Sequence, residues 1–193
     1  MQTPHILWTV GHSNHEPERL AQLLSAERIE FVVDVRSYPY SRYAPHFNRE
    51  ELQANIARVG MRYLFFGEQL GGRPSREEHY DTDGHALYRA MSEEQPFKDA
   101  IDRLLAGAQN HRIALLCSEA DPQHCHRRLL VGKVLTDRGA QLRHILPDGS
   151  VRAEDNVALP GDHAQRSLLG EEEPWRSTQS VSHRRRLSTS SAA

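Results

Sequence analysis

The sequence predicts an α/β domain: a doubly wound, Rossmann-like, mostly parallel sheet of about five strands with helices on both faces. Short apolar runs that suit strands alternate with amphipathic stretches that suit helices over residues 6–146. The strand runs are apolar at successive positions, which is typical of parallel strands buried on both faces. Right-handed crossovers between such strands favour the doubly wound order.

The first strand is predicted over residues 6–10, where apolar and β-branched residues end at Gly11. A helix follows from about Glu16, and Ser13 has the spacing of a capping box with it. A second apolar run over residues 29–35 predicts the next strand.

A helix that begins at Asn48 and ends at Gly60 is predicted next. Residues 61–66 form the third predicted strand. The polar, glycine-rich stretch 67–84 is long for a connection, so we expect a lid or a substrate-binding loop there.

The last part of the domain contains two more strands. Ser92 and Gln95 have capping-box spacing and predict a helix, which is followed by an apolar strand over residues 113–117. An Asp-Pro pair then predicts the start of a helix over residues 122–138. The fifth strand is predicted over residues 141–146.

We expect one domain over residues 1–151 and a disordered polar tail over residues 152–193. Beyond Arg152 the chain is dominated by Ser, Glu, Arg and Pro. Such a segment buries too little apolar surface to offset the entropy of ordering.

Composition excludes several classes of protein. A chain of 193 residues with two cysteines has no disulfide framework, and a formal net charge of −2 does not favour extended nucleic-acid contacts. No apolar run reaches the roughly 18 residues of a membrane span, and the N-terminus lacks the pattern of a secretory signal. We therefore expect a cytoplasmic protein that does not bind membranes.

Three polar clusters follow predicted strands, at residues 11–14, 34–37 and 117–127. Ligands of open parallel sheets bind beyond the carboxyl ends of the strands. We expect the three clusters to converge there on one site.

These clusters resemble the bacterial family DUF488, a domain of unknown function. The resemblance covers roughly residues 5–150 and lies in the following motifs: Thr-Val-Gly-His-Ser-Asn at 9–14, Asp-Val-Arg at 34–36 with Ser-Arg-Tyr at 41–43 and Phe47, and Leu-Cys-Ser-Glu at 116–119 leading to Cys-His-Arg at 125–127. It implies a Rossmann-like α/β fold and no established reaction.

The candidate catalytic residues are His12, Glu119 and Cys125. Histidine titrates near neutrality and Glu119 directly follows a strand, so the two could transfer protons. Cys125 falls in the first turn of a predicted helix, which lowers the pKa of a thiol. The alternatives are a hydrogen-bonded loop histidine and a cysteine that packs on the sheet.

The central candidate for substrate binding is Arg36, which could hold a phosphate or carboxylate beside helix N-termini. The alternative is a structural ion pair between Arg36 and Asp34 beneath the site. Ser13 could instead cap the first helix. The other candidate binding residues are Asp34, Arg42, Cys117, His126 and Arg127, with Ser13.

A metal site is possible but not favoured, and the cofactor is unknown. His12, Cys117, His124, Cys125 and His126 offer soft ligands, but no Cys-x-x-Cys or His-Glu-x-x-His motif is present. Consecutive residues 124–126 on a helix would diverge by about 100° each and could not all bind one ion. Gly-Gly-Arg at 71–73 lacks the rest of a nucleotide fingerprint.

The sequence therefore favours a hydrolase or transferase that acts on a small anionic substrate, such as a nucleotide or another phosphorylated metabolite. One alternative is a non-catalytic module that senses an anionic ligand or nucleic acid. The other is a metal-dependent enzyme that uses Cys and His ligands.

Overall fold

One six-stranded sheet organises the described part of the chain. A computed structural model describes residues 5–157 and 175–182. The strands are β1 (Ile6–Gly11), β2 (Phe31–Asp34), β3 (Arg62–Phe65), β4 (Ile113–Cys117), β5 (Gln141–Ile145) and β6 (Val151–Ala153), in the order β3-β2-β4-β1-β5-β6. All neighbours are parallel except β6, which runs antiparallel to β5. The predicted α/β fold with a mostly parallel sheet is confirmed. The sixth strand was not predicted, because its three residues are exposed and lack an apolar run.

In the part of the chain that the structure describes, six α-helices connect or flank the strands: α1 (Pro17–Ala26), α2 (Arg49–Arg58), α3 (Gly67–Leu70), α4 (Tyr88–Glu93), α5 (Gln95–Gly107) and α6 (Lys133–Asp137). A π-helical stretch, Arg127–Gly132, leads directly into α6. Short 3-10 turns lie at Pro45–Phe47, Glu77–His79 and Glu154–Asn156.

The sheet is covered on both faces, as predicted. Strand β4 is buried at every position: Ile113 and Leu115 pack with α5 and α6, while Ala114 and Leu116 pack with α1 and α2. Burial on both sides explains why this strand is apolar throughout.

Strand order determines which polar clusters are neighbours. In the dinucleotide-binding order 3-2-1-4-5-6 the first strand is adjacent to the second. Here β4 lies between β1 and β2. The backbone N–H of His12 donates to the carbonyl of Cys117 at 2.9 Å, and that of Val35 donates to Leu116 at 3.0 Å. The cluster after β4 is therefore flanked by the clusters after β1 and β2.

Two predicted capping boxes are wrong. Helix α1 has Glu16 as its N-cap, while Ser13 lies earlier in a left-handed turn with φ of 48°. Helix α5 starts at Gln95, and Ser92 belongs to α4. Proline occupies the first turn of both helices and, with its fixed φ, favours these starts.

The helix predicted from residue 122 begins only at Arg127, after a turn. The Asp121 carboxylate accepts from the backbone N–H of Gln123 at 2.8 Å and so closes a local turn. Cys125 consequently precedes the helix.

Part of the region predicted as a tail has defined structure. Glu154 accepts hydrogen bonds from Arg128 at 2.7 Å and His144 at 2.6 Å. The indole N–H of Trp175 donates to the carbonyl of Leu129 at 2.8 Å. Residues 152–157 and 175–182 of the predicted tail thus have defined structure, and the rest of the predicted tail lies outside the described residues. Within the described ranges, no helix has the length and apolar character needed to cross a membrane.

Candidate functional site

A cavity of about 260 Å³ opens at the carboxyl ends of β2 and β4. Cys117, Cys125 and His126 lie on one side of it, and the side chains of Glu119 and His124 border it from the loop after β4. Further walls come from Gly72 and Arg73, and from Ser177, Thr178, Gln179 and Val181. The residues that line it include Arg36, Ser37, Gly72, Arg73, Cys117, Ser118, Glu119, His124, Cys125, His126 and Gln179.

Cys117, Cys125 and His126 form a compact cluster, which we call the Cys–Cys–His cluster. Nδ1 of His126 lies 3.8 Å from Sγ of Cys117 and 3.9 Å from Sγ of Cys125. Both cysteines are buried and unbridged. Soft ligands thus meet at one point of the cavity wall.

The two thiols have opposite pKa shifts. The hydrogen bond from Cys125, with His126 and Arg127 nearby, lowers the pKa of the Cys117 thiol well below its usual value. Burial and the neighbouring Cys117 raise the pKa of Cys125. The expectation that Cys125 has the lowered pKa is therefore wrong. Cys125 lies just before the helix, and the backbone N–H of Arg127 does lower the pKa of its thiol, but burial and the neighbouring Cys117 outweigh that effect.

The imidazole of His126 is fixed in orientation. Its Nε2 lies 2.8 Å from the carbonyl oxygen of Val35, at the end of β2, and its Nδ1 faces the two sulfurs. Although burial alone would lower it, the pKa of His126 is raised because of Cys117. Gly72 packs on the ring, and a Cβ there would come within 2.5 Å of it.

Arg73 places a positive charge on the cavity. Its backbone N–H donates to Ser37 Oγ at 2.8 Å, which fixes the loop against the end of β2. Its side chain is exposed, and it forms no ion pair with the described residues. Sequence reasoning missed this residue, although the Gly-Gly-Arg at 71–73 was a usable signal.

Arg36 is held in the structural ion pair that the sequence left open as an alternative. Its guanidinium donates to Asp34 at 2.6 and 2.9 Å and to the carbonyl of Phe47 at 2.9 Å. Tyr63 donates to the same carboxylate at 2.7 Å. Arg36 borders the cavity, but these bonds occupy much of its donor capacity.

His12 is buried beside that ion pair and does not line the cavity. Its Nδ1 lies 2.9 Å from the carbonyl of Ser13, and its Nε2 lies 3.1 Å from Nη1 of Arg36. Burial and the Arg36 charge lower the pKa of His12 to about 4. The geometry therefore describes a neutral histidine that accepts from Arg36, separate from the cavity that Glu119 borders.

Arg127 is fully buried and holds the loop after β4. It donates to the carbonyl of Glu119 and, at 3.0 Å, to that of Ala120. This contact fixes the backbone from which the exposed Glu119 side chain extends. Ser13 and Arg42 lie elsewhere: neither lines the cavity, and Arg42 donates to the hydroxyl of Tyr43 at 3.0 Å.

Fold and site together define a doubly wound α/β domain with a polar cavity at the carboxyl edge of its sheet. The chain belongs to the family described as "Domain of unknown function DUF488", whose sequence model matches residues 16–134. The match includes the motifs after β2 and β4 and begins just beyond the motif at 9–14. Comparisons with curated proteins and with solved structures give no match.

Proposed function

We propose that this protein is an enzyme, a hydrolase or transferase, that acts on a small anionic substrate in the cavity at the carboxyl ends of β2 and β4. The observation that carries the proposal is the composition of that cavity. An exposed arginine, one carboxylate and the Cys–Cys–His cluster border the same space. A cation to hold charge and groups to perform chemistry are the parts that such an enzyme needs.

The size and charge of the cavity favour a small anion as the substrate. A volume of about 260 Å³ lies just below the usual range for drug-sized ligands. Arg73 offers planar N–H donors that suit phosphate or carboxylate groups. The hydroxyls of Ser37 and Ser118 also border the space and add neutral donors. A nucleotide or another phosphorylated metabolite fits this description.

We assign proton transfer to Glu119, the only carboxylate among the described residues that line the cavity. His12, the partner predicted from the sequence, has no place in this assignment because it is buried outside the cavity. The Cys–Cys–His cluster is the proposed reactive centre. Binding of nucleic acid is not favoured, since Arg73 is the one arginine without an ion pair among the described residues that line the cavity, and it supplies few phosphate contacts.

The proposed compartment is the cytoplasm. Cys117 and Cys125 are close neighbours yet unbridged, which suits a reducing environment.

The test is a screen for turnover of nucleoside phosphates, sugar phosphates and simple phosphate and carboxylate esters by the full-length chain. Product release is followed by phosphate detection and mass spectrometry. With any substrate found, we expect Glu119→Gln to lower kcat by at least about 100-fold. Arg73→Gln should mainly raise KM, because it removes binding charge.

Matched controls are Glu51→Gln and Arg58→Gln, which make the same changes on exposed positions of α2 away from the cavity. Both should keep wild-type kinetics. Binding of panel members without turnover would instead establish the alternative, a ligand-sensing module. The proposal is refuted if the protein neither binds nor turns over any compound in the panel.

A further inference from the structure

We infer that Cys117, Cys125 and His126 form a site for one transition-metal ion, best suited to zinc, with its fourth position open to the cavity. This inference deepens the proposed function, since it assigns a cofactor to the reactive centre of the same cavity. The ligands would be the sulfurs of the two cysteines and Nδ1 of His126, which all lie within 4.8 Å of one another.

The distances between these atoms fit a tetrahedral ion. Zinc binds sulfur at about 2.3 Å and imidazole nitrogen at about 2.0 Å, so tetrahedral ligands S and N are about 3.6 Å apart. The two S···Nδ1 distances are 3.8 and 3.9 Å. The two sulfurs lie within 4.8 Å of each other, against about 3.8 Å for two thiolates on a tetrahedral zinc ion, so side-chain rotations that bring them closer by up to about 1 Å would complete the site.

His126 is oriented as a metal ligand is. A metal-bound histidine usually donates its other ring N–H to a carboxylate or a backbone carbonyl, which fixes the tautomer. Here Nε2 lies 2.8 Å from the carbonyl of Val35. A proton on Nε2 leaves the lone pair of Nδ1 directed toward the two sulfurs. The close packing of Gly72 on the ring further fixes it in this orientation.

The local backbone structure allows Cys125 and His126 to bind one ion, although the sequence predicted that consecutive residues 124–126 would diverge on a helix. Consecutive side chains on a helix diverge, but Cys125 lies in the turn before the helix, and His126 is the residue that caps the π-helical stretch. Their side chains can therefore both reach Cys117, the last residue of β4. His124 is exposed and stays outside the ligand set, as the sequence argument required.

Burial and charge also favour an ion. Cys117 and Cys125 are 4% and 2% exposed. Two thiolates and one Zn²⁺ have no net charge, so the occupied site suits an interior position. Three protein ligands with an open fourth position are typical of catalytic zinc, which activates water or polarises a substrate oxygen.

The test is metal analysis of the full-length chain, purified under reducing conditions and with any histidine tag removed. We expect about one zinc per chain. Replacement with Co²⁺ should give the near-ultraviolet thiolate charge-transfer band and the intense visible bands of a tetrahedral site. The spectrum of the wild-type protein is sufficient by itself if a variant fails to fold.

Cys117→Ser, Cys125→Ser and His126→Asn should each weaken Co²⁺ binding by at least about tenfold. His124→Ala is the matched control, because it removes an adjacent histidine that borders the cavity without belonging to the ligand set. It should keep the full Co²⁺ spectrum. Thermal melting verifies that each variant is folded.

The inference is overturned if reduced wild-type protein binds neither metal in stoichiometric amounts, or if Co²⁺ binds without a thiolate band. A Cys117–Cys125 disulfide that persists under reducing conditions would also overturn it. The proposed function is tested separately by the substrate screen. Turnover by a protein that binds no metal would support the proposed function and overturn the metal site, whereas a tetrahedral Co²⁺ spectrum without binding or turnover of any panel compound would support the metal site and refute the proposed function.

Discussion

Arg36 forms a buried, two-point ion pair with Asp34, only two residues earlier in the chain. Nη2 of Arg36 lies 2.6 Å from Oδ2 of Asp34, Nε lies 2.9 Å from Oδ1, and the two side chains are 7% and 0% exposed. The pair closes β2 and supports His12 and the 3-10 turn at Phe47. Arg36, which the sequence predicted as a substrate-binding residue, thus stabilises the edge of the sheet.

Replacing Arg36 with methionine should lower the free energy of unfolding by about 3–5 kcal/mol, because Asp34 is left buried without its ion-pair partner. Urea denaturation followed by circular dichroism measures this change. The double variant Asp34→Asn with Arg36→Met should lose less free energy of unfolding than Arg36→Met alone, because it leaves no buried charge unpaired. A loss below about 1 kcal/mol for Arg36→Met, the range of an exposed pair, would contradict this account.

The lowered pKa of His12 predicts a loss of stability in mild acid. Burial holds its pKa at about 4, against 6.5 in the unfolded chain. Between these two values the unfolded state binds the proton and the folded state does not, so the free energy of unfolding falls as the pH falls from about 6.5 to 4. A difference of this size corresponds to about 3 kcal/mol of stability.

His12→Gln keeps an acceptor for Arg36 but does not titrate. Urea midpoints measured at several pH values for both proteins isolate the contribution of His12 from that of other groups. The wild-type protein should lose more stability than the variant between pH 6.5 and 4. Parallel curves would show that His12 is protonated in the folded state as readily as in the unfolded chain.

Arg127 should stabilise the loop after β4 more than any exposed arginine. Arg127→Met leaves the carbonyls of Glu119 and Ala120 without their charged donor, and we expect a loss of about 2–3 kcal/mol. Hydrogen–deuterium exchange over residues 118–126 should become faster. Arg58→Gln on α2 is the control, and it should change neither quantity. Unchanged exchange in Arg127→Met would mean that the loop is held by other contacts.

Trp175 should anchor the part of the cavity wall that residues 177–181 form. Its indole donates to Leu129 and its ring packs edge-on against Tyr88, with centroids 6.1 Å apart. Trp175→Ala should therefore loosen residues 175–182 and speed the alkylation of Cys117 by iodoacetamide several-fold. The assay uses chelator-treated protein, so that a bound metal does not protect the thiol.

Gln179→Ala is the control for this prediction, since Gln179 borders the same cavity and its side chain forms no hydrogen bond within the described residues. Its alkylation rate should stay within about twofold of the wild-type rate. Equal rates in Trp175→Ala and wild-type protein would show that the wall does not depend on the indole.

Much of the fold could be predicted from local pattern. The strand predicted over residues 113–117 coincides with β4, because a parallel strand buried on both faces must be apolar throughout. The two wrongly predicted N-caps, Ser13 and Ser92, both precede helices that have a proline in the first turn, a signal that outweighed the serine capping boxes. The short strand β6 has no apolar run and forms by pairing with β5 beside the network of Glu154 and His144.

The sequence by itself determined the fold class, the family and the position of polar segments at the ends of β1, β2 and β4, since each depends on residues that are close in the chain. Only the tertiary structure decided which of those residues share a cavity. It placed His12 and Arg36 in a buried network, and it directed Cys117 toward Cys125 and His126. Burial and long-range contacts determine whether a charged or soft side chain faces solvent, a partner or a ligand, and neither can be read from local spacing.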